Sequence, residues 1–246
     1  MIYGHRFPAA QLLRIGLAQE GKLGVPFLNW RVSPRSPRER NSGQTSFTGC
    51  GLYGVCFRGR LVYVGSYCGK KPKGVKRGAY FAGDIVKSRW WQHFGSLTVR
   101  SHKLHVAPSV LAQLRNDFQN HPMVTALDLA GQDIHTDGGC LGAENRLRFA
   151  AQNWERFNNS TTSALLSQFS FLYARDNGDN LFVTPLEIER AIESAESEAI
   201  SRMQPEVNTA QRDRGVIGCR LSPRIALDQL VHILDQRLAR LRLPVA

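Results

Sequence analysis

The stretch from Gly51 to Ser66 constrains the fold of this chain more than any other part of its sequence. It consists of two runs of β-branched, apolar and aromatic residues joined by the short basic segment Arg58-Gly59-Arg60. Runs of this composition on either side of a tight, glycine-containing turn are typical of a β-hairpin. Each predicted strand carries a tyrosine next to or near a glycine, in the triplets Gly51-Leu52-Tyr53 and Tyr63-Val64-Gly65. The sequence therefore predicts a hairpin that holds a pair of tyrosines.

The chain carries a large excess of positive charge. Its 246 residues include 32 Lys and Arg against 20 Asp and Glu, which gives a formal net charge of +12. Such an excess favours polyanionic partners, either nucleic acid or an anionic membrane surface. No run approaches the roughly 18 consecutive apolar residues of a membrane span, and the first residues lack the apolar core of a secretory signal. We therefore expect a cytoplasmic protein that binds nucleic acid rather than a membrane.

The five cysteines show no Cys-x-x-Cys pair and no spacing typical of zinc ligands. An odd number of cysteines without such spacing indicates reduced thiols, as in cytoplasmic proteins. A structural zinc site is therefore not expected.

Two segments combine positive charge with glycine, proline or serine and are predicted to lie outside regular structure. Residues 31–46 contain four arginines and two prolines, which favours an extended linker. Residues 67–78 follow the hairpin and place basic residues among glycines, of which the candidates for phosphate contact are Lys70, Lys73, Lys76 and Arg77. Each segment is interpreted either as solvated surface or as a phosphate contact, because basic side chains release counterions when they bind DNA. The place of the second segment after the hairpin favours phosphate contact there.

A helical pattern begins near Tyr80 and continues to Phe94, with apolar residues at steps of three and four. Arg89 and His93 stand four residues apart in this run, so on a helix they project from the same face. Such a pair is more often a surface contact than a catalytic one. Its interpretation therefore depends on the rest of the chain.

The first thirty residues are compatible with one short helix. Periodicity predicts the later elements, in order, as a basic strand at 97–106, helices at 108–118 and 143–157, a buried strand at 169–175, and helices at 184–203 and 223–241. Thr184-Pro185 followed by Glu187 is a strong signal for a helix start. The apolar stripe from Ile225 to Leu241 is interpreted as core packing, a dimer contact or a helix that faces DNA.

Two pairs of glutamate and asparagine are candidates for a catalytic carboxylate and its partner. Hydrolysis of a phosphodiester needs an activated water, an electrophilic clamp on the phosphate and usually a divalent cation held by a carboxylate. Glu144 and Asn158 are fourteen residues apart, with no proline between them. Glu196 and Asn208 are twelve residues apart and enclose Pro205. Residue type alone leaves both pairs open.

In this order, the two tyrosine triplets, Arg89 with His93, and Glu196 with Asn208 resemble the motifs of the GIY-YIG nuclease family. The resemblance covers about residues 49–100 and 168–210, with Leu and Val where each family triplet has Ile. In that family an asparagine follows the metal-binding glutamate by about twelve residues, often after a proline. The resemblance therefore favours Glu196 and Asn208 over the pair at Glu144.

The resemblance implies an α+β fold with αβα layers, in which helices flank a small, three-stranded, mainly antiparallel sheet. It also implies a helical insertion and terminal extensions. The expected domains are an N-terminal region with a basic arm at 1–48, a nuclease domain at 49–215 with an insertion at about 97–168, and a C-terminal helix at 216–246.

The resemblance further implies a role for each matched residue. Glu196 is expected to bind one Mg²⁺ (or Mn²⁺), and Tyr53, alone or through His93, to accept the proton of the attacking water. Arg89 is expected to clamp the phosphate with its planar fork of donors, which lysine cannot copy. Tyr63 is expected to pack and hydrogen-bond within the site, and Asn208 to fix the end of the glutamate helix there.

The combination of an insertion and basic ends looks most like the type II restriction endonucleases of the family, which cut double-stranded DNA at specific sequences. A palindromic target would require a homodimer or homotetramer. Residues expected to contact DNA in the insertion include Arg100 and Lys103, with His102, His105, Arg115, Arg146 and Arg148 as further candidates. The alternatives are a nucleic-acid-binding protein that does not cleave, or a nonspecific, homing or repair nuclease of the same family.

Overall fold

The computed structural model describes residues 1–17, 30–40, 47–69, 83–131, 140–176, 184–208 and 220–242. The strands are β1 Tyr3–Pro8, β2 Leu13–Leu17, β3 Trp30–Pro34, β4 Cys50–Phe57, β5 Arg60–Tyr67, β6 Leu104–His105, β7 Cys140–Leu141 and β8 Phe169–Asp176. The α-helices are α1 Ala9–Leu12, α2 Trp91–Thr98, α3 Pro108–Asp117, α4 Pro122–Ala130, α5 Glu144–Gln152, α6 Trp154–Asn159, α7 Thr162–Ser167, α8 Pro185–Met203 and α9 Pro223–Ala239. A π-helical turn, Val86–Trp90, leads into α2. Among the described residues, no helix combines the length and apolar character needed to cross a membrane.

The chain forms two compact units, and each is assembled from separate segments. Unit 1 comprises Met1–Gln11, Pro37–Ile85 and Ser167–Ala246, and it contains the hairpin. Unit 2 comprises Leu12–Ser36 and Val86–Leu166, and it contains most of the expected insertion. The architecture is mixed α+β with an antiparallel sheet, as the sequence predicts.

The predicted hairpin is confirmed. Strands β4 and β5 pair antiparallel from Gly51 opposite Tyr67 to Phe57 opposite Arg60. The two residues between the strands, Arg58 and Gly59, have φ values of 49° and 73°. Positive φ at both central residues is the requirement of a two-residue type I′ turn, whose twist matches that of the strands.

Within the described residues, the sheet of unit 1 has four strands in the order β1-β8-β4-β5, all antiparallel. This is one strand more than the three that the resemblance implies. The additional strand is β1, whose residues from Tyr3 to Pro8 pair with β8. The N-terminal sequence gives little sign of it, because β1 is an edge strand with mostly exposed positions and a proline at its end. This segment is extended because it pairs with β8, a contact that its own sequence does not indicate.

Helices α8 and α9 cover one face of this sheet. Leu52, Val64 and Leu172 of the strands pack with Ile192 of α8 and Leu234 of α9 in a single buried cluster. The predicted start of α8 is confirmed by a capping box, in which the Thr184 N–H donates to Glu187 Oε2 at 2.8 Å. The apolar stripe of α9 therefore serves core packing, which was the first of its three interpretations.

Unit 2 differs from its sequence-based description in several places. Leu13–Leu17, which the sequence left as part of a short helix, form β2. The single helix expected at 143–157 is divided at Asn153 into α5 and α6. Residues 31–34, expected in a linker, form β3 and pair with β2. The basic strand expected at 97–106 is wrong, because Leu97 and Thr98 are buried in the last turn of α2, which ends at the left-handed Val99. Only Leu104 and His105 are extended, parallel to β7. Burial on a helix has outweighed the β-propensity of this segment.

Candidate active site

The ring of Tyr53, in the first triplet, covers Gly65, the glycine of the second triplet. Tyr53 and Gly65 face each other in the register of β4 and β5. A Cβ atom built on Gly65 would lie only 2.5 Å from Cζ and from Oη of Tyr53. Glycine is therefore the one residue that leaves room for this phenol, which is 2% exposed. The ring of Tyr63 lies beside it, with ring centroids 6.0 Å apart.

The register also defines which face of the sheet each side chain occupies. Tyr53, Tyr63 and Gly65 share one face, because Tyr53 is opposite Gly65 and Val55 is opposite Tyr63. Leu52 and Val64 point to the other face, where they join the core beneath α8. Ser66, opposite Leu52, belongs to that second face.

The predicted metal ligand reaches β5 from the α8 side. The hydroxyl of Ser66 donates a hydrogen bond to Oε2 of Glu196, although the two residues are 130 positions apart in sequence. The buried neighbours Ala195 and Ala199 hold this part of α8 against the core. The tyrosines and the carboxylate therefore both lie at the edge strand β5, but on opposite faces of the sheet.

The neighbouring glutamate on α8 serves a different purpose. Glu198 accepts from Arg237 of α9, with Nε at 2.7 Å from Oε2, and also pairs with Arg202 one turn along α8. It points away from β5, as its position around the helix predicts. Glu196 is thus the carboxylate of this part of α8 that is directed at the hairpin.

Asn208 binds the open edge of the hairpin. Its Oδ1 accepts from the backbone N–H of Val64 at 2.8 Å, and its Nδ2 donates to the Val64 carbonyl oxygen at 2.7 Å. The backbone N–H of Val207 also donates to the Val62 carbonyl at 2.8 Å. The segment after α8 therefore pairs with β5 almost as another strand would, and it ties the glutamate helix to the second tyrosine triplet.

Arg89 and His93 lie in unit 2, on the continuous helical segment formed by the π-helical turn and α2. Arg89 is exposed within the π-helical turn, a rare geometry that is often found at functional sites. His93 is buried, and this burial, with Arg146 and Arg89 nearby, holds the pKa of His93 well below its ordinary value. The imidazole is therefore neutral near pH 7.

The alternative carboxylate pair is arranged differently. Glu144 begins α5 and its Oε1 accepts from Nε of Arg148 at 2.9 Å, an ion pair within one helix. Asn158 is exposed on α6, which begins after a break at Asn153. Both residues lie in unit 2, while Glu196 and Asn208 contact the hairpin directly. The geometry therefore favours the second pair, as does the resemblance.

The residues expected to contact DNA fall into three groups. Lys70, Lys73, Lys76 and Arg77 lie outside the described residues. Lys103 is exposed. Arg100 is buried, with its Nη2 donating to the Phe157 carbonyl at 2.6 Å and its guanidinium over the Trp30 ring at 4.9 Å, and burial lowers its pKa. In this structure Arg100 supports the packing of unit 2, and we assign it no DNA contact below.

Ser66 is the site residue that the sequence analysis did not identify. It directly follows the Tyr63-Val64-Gly65 triplet, and the alternation of side chains along β5 places it on the face opposite the tyrosines. That alternation could have indicated a contact with the covering helix. The choice of Glu196 as its partner required the tertiary structure.

The donor atoms at this edge suit a hard divalent cation. Within the residues that the structure describes, no three His, Cys, Asp or Glu side chains converge as a metal-binding group. Mg²⁺ does not need one, since it commonly takes one or two carboxylates and completes its octahedron with water and substrate phosphate oxygens. The Glu196 carboxylate, partly exposed and oriented by Ser66, fits that role.

Comparisons with protein-family models, with curated proteins and with solved structures return no match to this chain.

Proposed function

We propose that this protein is a metal-dependent endonuclease of the GIY-YIG type that hydrolyses phosphodiester bonds of double-stranded DNA. The observation that carries the proposal is the convergence of distant motifs on one edge strand. The contacts of Glu196 with Ser66 and of Asn208 with Val64 span 130 and 144 residues of sequence, yet one ends within the second tyrosine triplet and the other at the residue directly after it. This supports the proposal, because the two residues that the resemblance selects both contact the strand that carries Tyr63, although they do so from the face opposite its ring.

In the proposed reaction, the side chains of unit 1 prepare the water and hold the metal ion. The phenol of Tyr53, enclosed above Gly65, accepts the proton of the attacking water. Tyr63 packs beside it and limits the positions that the Tyr53 ring can adopt. Glu196 would hold one Mg²⁺, which supplies positive charge to the scissile phosphate and to the leaving oxygen. Ser66 orients the carboxylate, and Asn208 holds the end of α8 against β5.

The side chains assigned to the phosphate come from unit 2. Arg89 clamps the phosphate oxygens with its fork of donors, which is exposed and always charged. His93 is buried and neutral, so its ring can accept a proton. A nearby phosphate would raise the pKa of His93 and make the ring a better acceptor.

We further propose that cleavage is sequence-specific, as in type II restriction endonucleases. The net charge of +12 supports binding to a polyanion. Unit 2 supports specificity, since it adds helices with exposed cations beyond the strands and helices that form the edge-strand site. Phosphate contacts fix the position of a protein on a duplex, and contacts to base edges then give specificity.

The proposal is tested by cleavage of a plasmid in Mg²⁺, with wild type compared with Glu196→Gln. We expect discrete fragments from the wild type and a rate at least about 100-fold lower for the variant, because the carboxylate charge that holds the metal is lost. Glu144→Gln, which removes a carboxylate from an ion pair on α5, is the matched control and should cut at nearly the wild-type rate.

Other outcomes of the cleavage experiment would contradict particular parts of the proposal. If Glu144→Gln alone abolishes cutting, the choice of carboxylate is wrong. Random degradation by the wild type would support a nonspecific nuclease and contradict sequence specificity. Salt-sensitive DNA binding with no cleavage in Mg²⁺ or Mn²⁺ would overturn the enzyme proposal in favour of a nucleic-acid-binding protein.

A further inference from the structure

The turn of the hairpin presents two arginines at one end of the unit 1 sheet. Arg58 and Arg60 lie on either side of Gly59, and all three residues are exposed. Neither arginine side chain forms an ion pair or a hydrogen bond with any residue that the structure describes. Within the described part of the chain, both positive charges are therefore directed to the surroundings of the protein.

Two backbone hydrogen bonds hold the turn in place and bring a third arginine to it. The N–H of Arg58 donates to the Gln168 carbonyl at 2.8 Å, and the N–H of Leu61 donates to the Leu221 carbonyl at 3.1 Å. Arg220 directly precedes Leu221 and is exposed, and its side chain has no ion-pair partner among the described residues. The second hydrogen bond therefore places the backbone of Arg220 at the same end of the hairpin.

A β-bulge in β5 determines which face of the sheet Arg60 occupies. Cys56 is opposite Leu61 and Phe57 is opposite Arg60, which leaves Val62 as an extra residue of β5. A register shift of one residue exchanges the two faces of a strand. Leu61 consequently joins the buried cluster beneath α8 and α9, and Arg60 is assigned to the other face.

That other face is the one that carries the two tyrosines. Tyr53 and Phe57 are four positions apart in β4, and because side chains alternate along a strand they share one face with Arg60. Tyr63, also on this face, lies three residues along β5 from Arg60, or roughly 10 Å at about 3.3 Å per residue. This distance corresponds to about three nucleotides of one DNA strand at roughly 3.4 Å each. A DNA strand that reaches the tyrosines can therefore also reach the turn.

The backbone of Arg58 gives an independent indication that its side chain has a role outside the turn. Its φ of 49° lies in the left-handed region, where glycine, asparagine and aspartate are the favoured residues of a two-residue hairpin turn. A larger residue with this backbone raises the free energy of the fold, and such residues are found preferentially at functional sites. Asparagine would suit the turn better than arginine, but it would not supply the charge.

We propose that Arg58, Arg60 and Arg220 form a hairpin-tip surface that binds the phosphate backbone of duplex DNA. Guanidinium groups match phosphate oxygens with two parallel donors, which favours arginine for this contact. Like charges held near one another repel, and a bound polyanion removes that cost. The assignment of DNA as the ligand rests on the function proposed above. The surface itself rests on the two backbone hydrogen bonds, the exposure of the arginines and the register of β5.

The test is the salt dependence of DNA binding without divalent cations, so that no cleavage occurs. Fluorescence anisotropy with a labelled 30-base-pair duplex in EDTA gives the slope of log Kd against log salt concentration. We expect Arg58→Asn and Arg60→Gln each to weaken binding and to lower this slope by about one, the value for one lost phosphate contact. Arg60→Lys should keep the slope, because lysine retains the charge. Arg240→Gln is the matched control and should leave the slope unchanged, since Arg240 is an exposed arginine of unit 1 at the other end of α9 from Leu221.

Thermal unfolding separates a role in binding from a role in the turn itself. Arg58→Asn should unfold at the wild-type temperature or a higher one, because asparagine adopts the left-handed backbone at lower cost. Weaker DNA binding by a variant that is at least as stable as the wild type would assign the arginine to the ligand. A lower unfolding temperature together with an unchanged slope would assign it to the turn and contradict the proposal.

The remaining outcomes distinguish the surface from the enzyme. Unchanged slopes in both Arg58→Asn and Arg60→Gln, or no binding of the duplex by the wild type, would overturn the inference. Binding that depends on the two arginines, without cleavage in Mg²⁺, would support the surface and contradict the proposed nuclease. Cleavage by the wild type with slopes indifferent to both arginines would support the nuclease and overturn the surface.

Discussion

At the scale of single residues, the space above Gly65 decides where the Tyr53 phenol can lie. Gly65→Ala would place a Cβ atom 2.5 Å from the ring, and the buried ring has to move. We expect a loss of about 1–3 kcal/mol in the free energy of unfolding, as is usual for overpacking a core. If Tyr53 is the general base, as proposed, we also expect the cleavage rate to fall more than tenfold, because a displaced base would no longer reach its water. Urea unfolding and plasmid cleavage measure the two effects.

Gly16→Ala is the matched control for this substitution. A Cβ atom at Gly16 would have no atom within 4 Å, so both stability and cleavage should stay close to wild type. Wild-type cleavage by Gly65→Ala would show that the position of Tyr53 does not matter to the reaction. The proposed role of that tyrosine would then have to be abandoned.

The sequence motifs singled out residues that the structure places in or against the hairpin. Tyr53, Glu196 and Asn208 each contact the hairpin or belong to it, as the triplets and the twelve-residue spacing indicate. The sequence did not indicate, in contrast, which of the basic side chains are buried. Arg100 and Lys103 stand three residues apart in one basic run, and only packing against Trp30 determines that the first is internal and the second exposed.

At the scale of elements, the edge strand β5 depends on the segment that follows α8. An edge strand presents backbone groups that need partners, and Asn208 satisfies both groups of Val64. Asn208→Ala should lower the free energy of unfolding by about 1–3 kcal/mol, because a buried N–H and carbonyl lose their partner. Hydrogen exchange at the Val64 amide should accelerate more than global unfolding explains, since the edge opens locally.

Asn158→Ala is the matched control, because Asn158 is the exposed asparagine of the alternative pair. It should change neither the stability nor the exchange of Val64. Slow, unchanged exchange at Val64 in Asn208→Ala would mean that the segment from Pro205 onward holds β5 by its backbone alone. The side chain would then be dispensable for the site.

Elements with strong local signals were predicted correctly, and elements that depend on a distant partner were not. Helix α8 carries its own start signal in Thr184 and Glu187, and it begins where they predict. Strand β1 has no comparable signal, and its pairing with β8 crosses more than 160 residues. Local propensity cannot supply a contact of that range.

At the scale of the whole molecule, the linear order of the sequence does not match the order of compact units. The chain passes from unit 1 to unit 2 at residue 12 and again at residue 86, so unit 2 includes an early hairpin as well as the expected insertion. The resemblance identified one insertion because its motifs bracket only the later segment. The earlier segment has no motif on either side, and contacts alone assign β2 and β3 to unit 2.

The net charge of +12 is a property of the whole chain and leads to the last prediction. A ligand that binds the folded state raises the unfolding temperature, so a 30-base-pair duplex in EDTA should raise it at about 50 mM NaCl. At 1 M NaCl, where the Debye length is about 3 Å, the rise should disappear because the attraction is screened. An uncharged peptide nucleic acid duplex of the same sequence is the control and should have no effect at either salt concentration. A rise that persists at 1 M NaCl, or that the uncharged duplex reproduces, would contradict phosphate-driven binding and would indicate recognition through the bases alone.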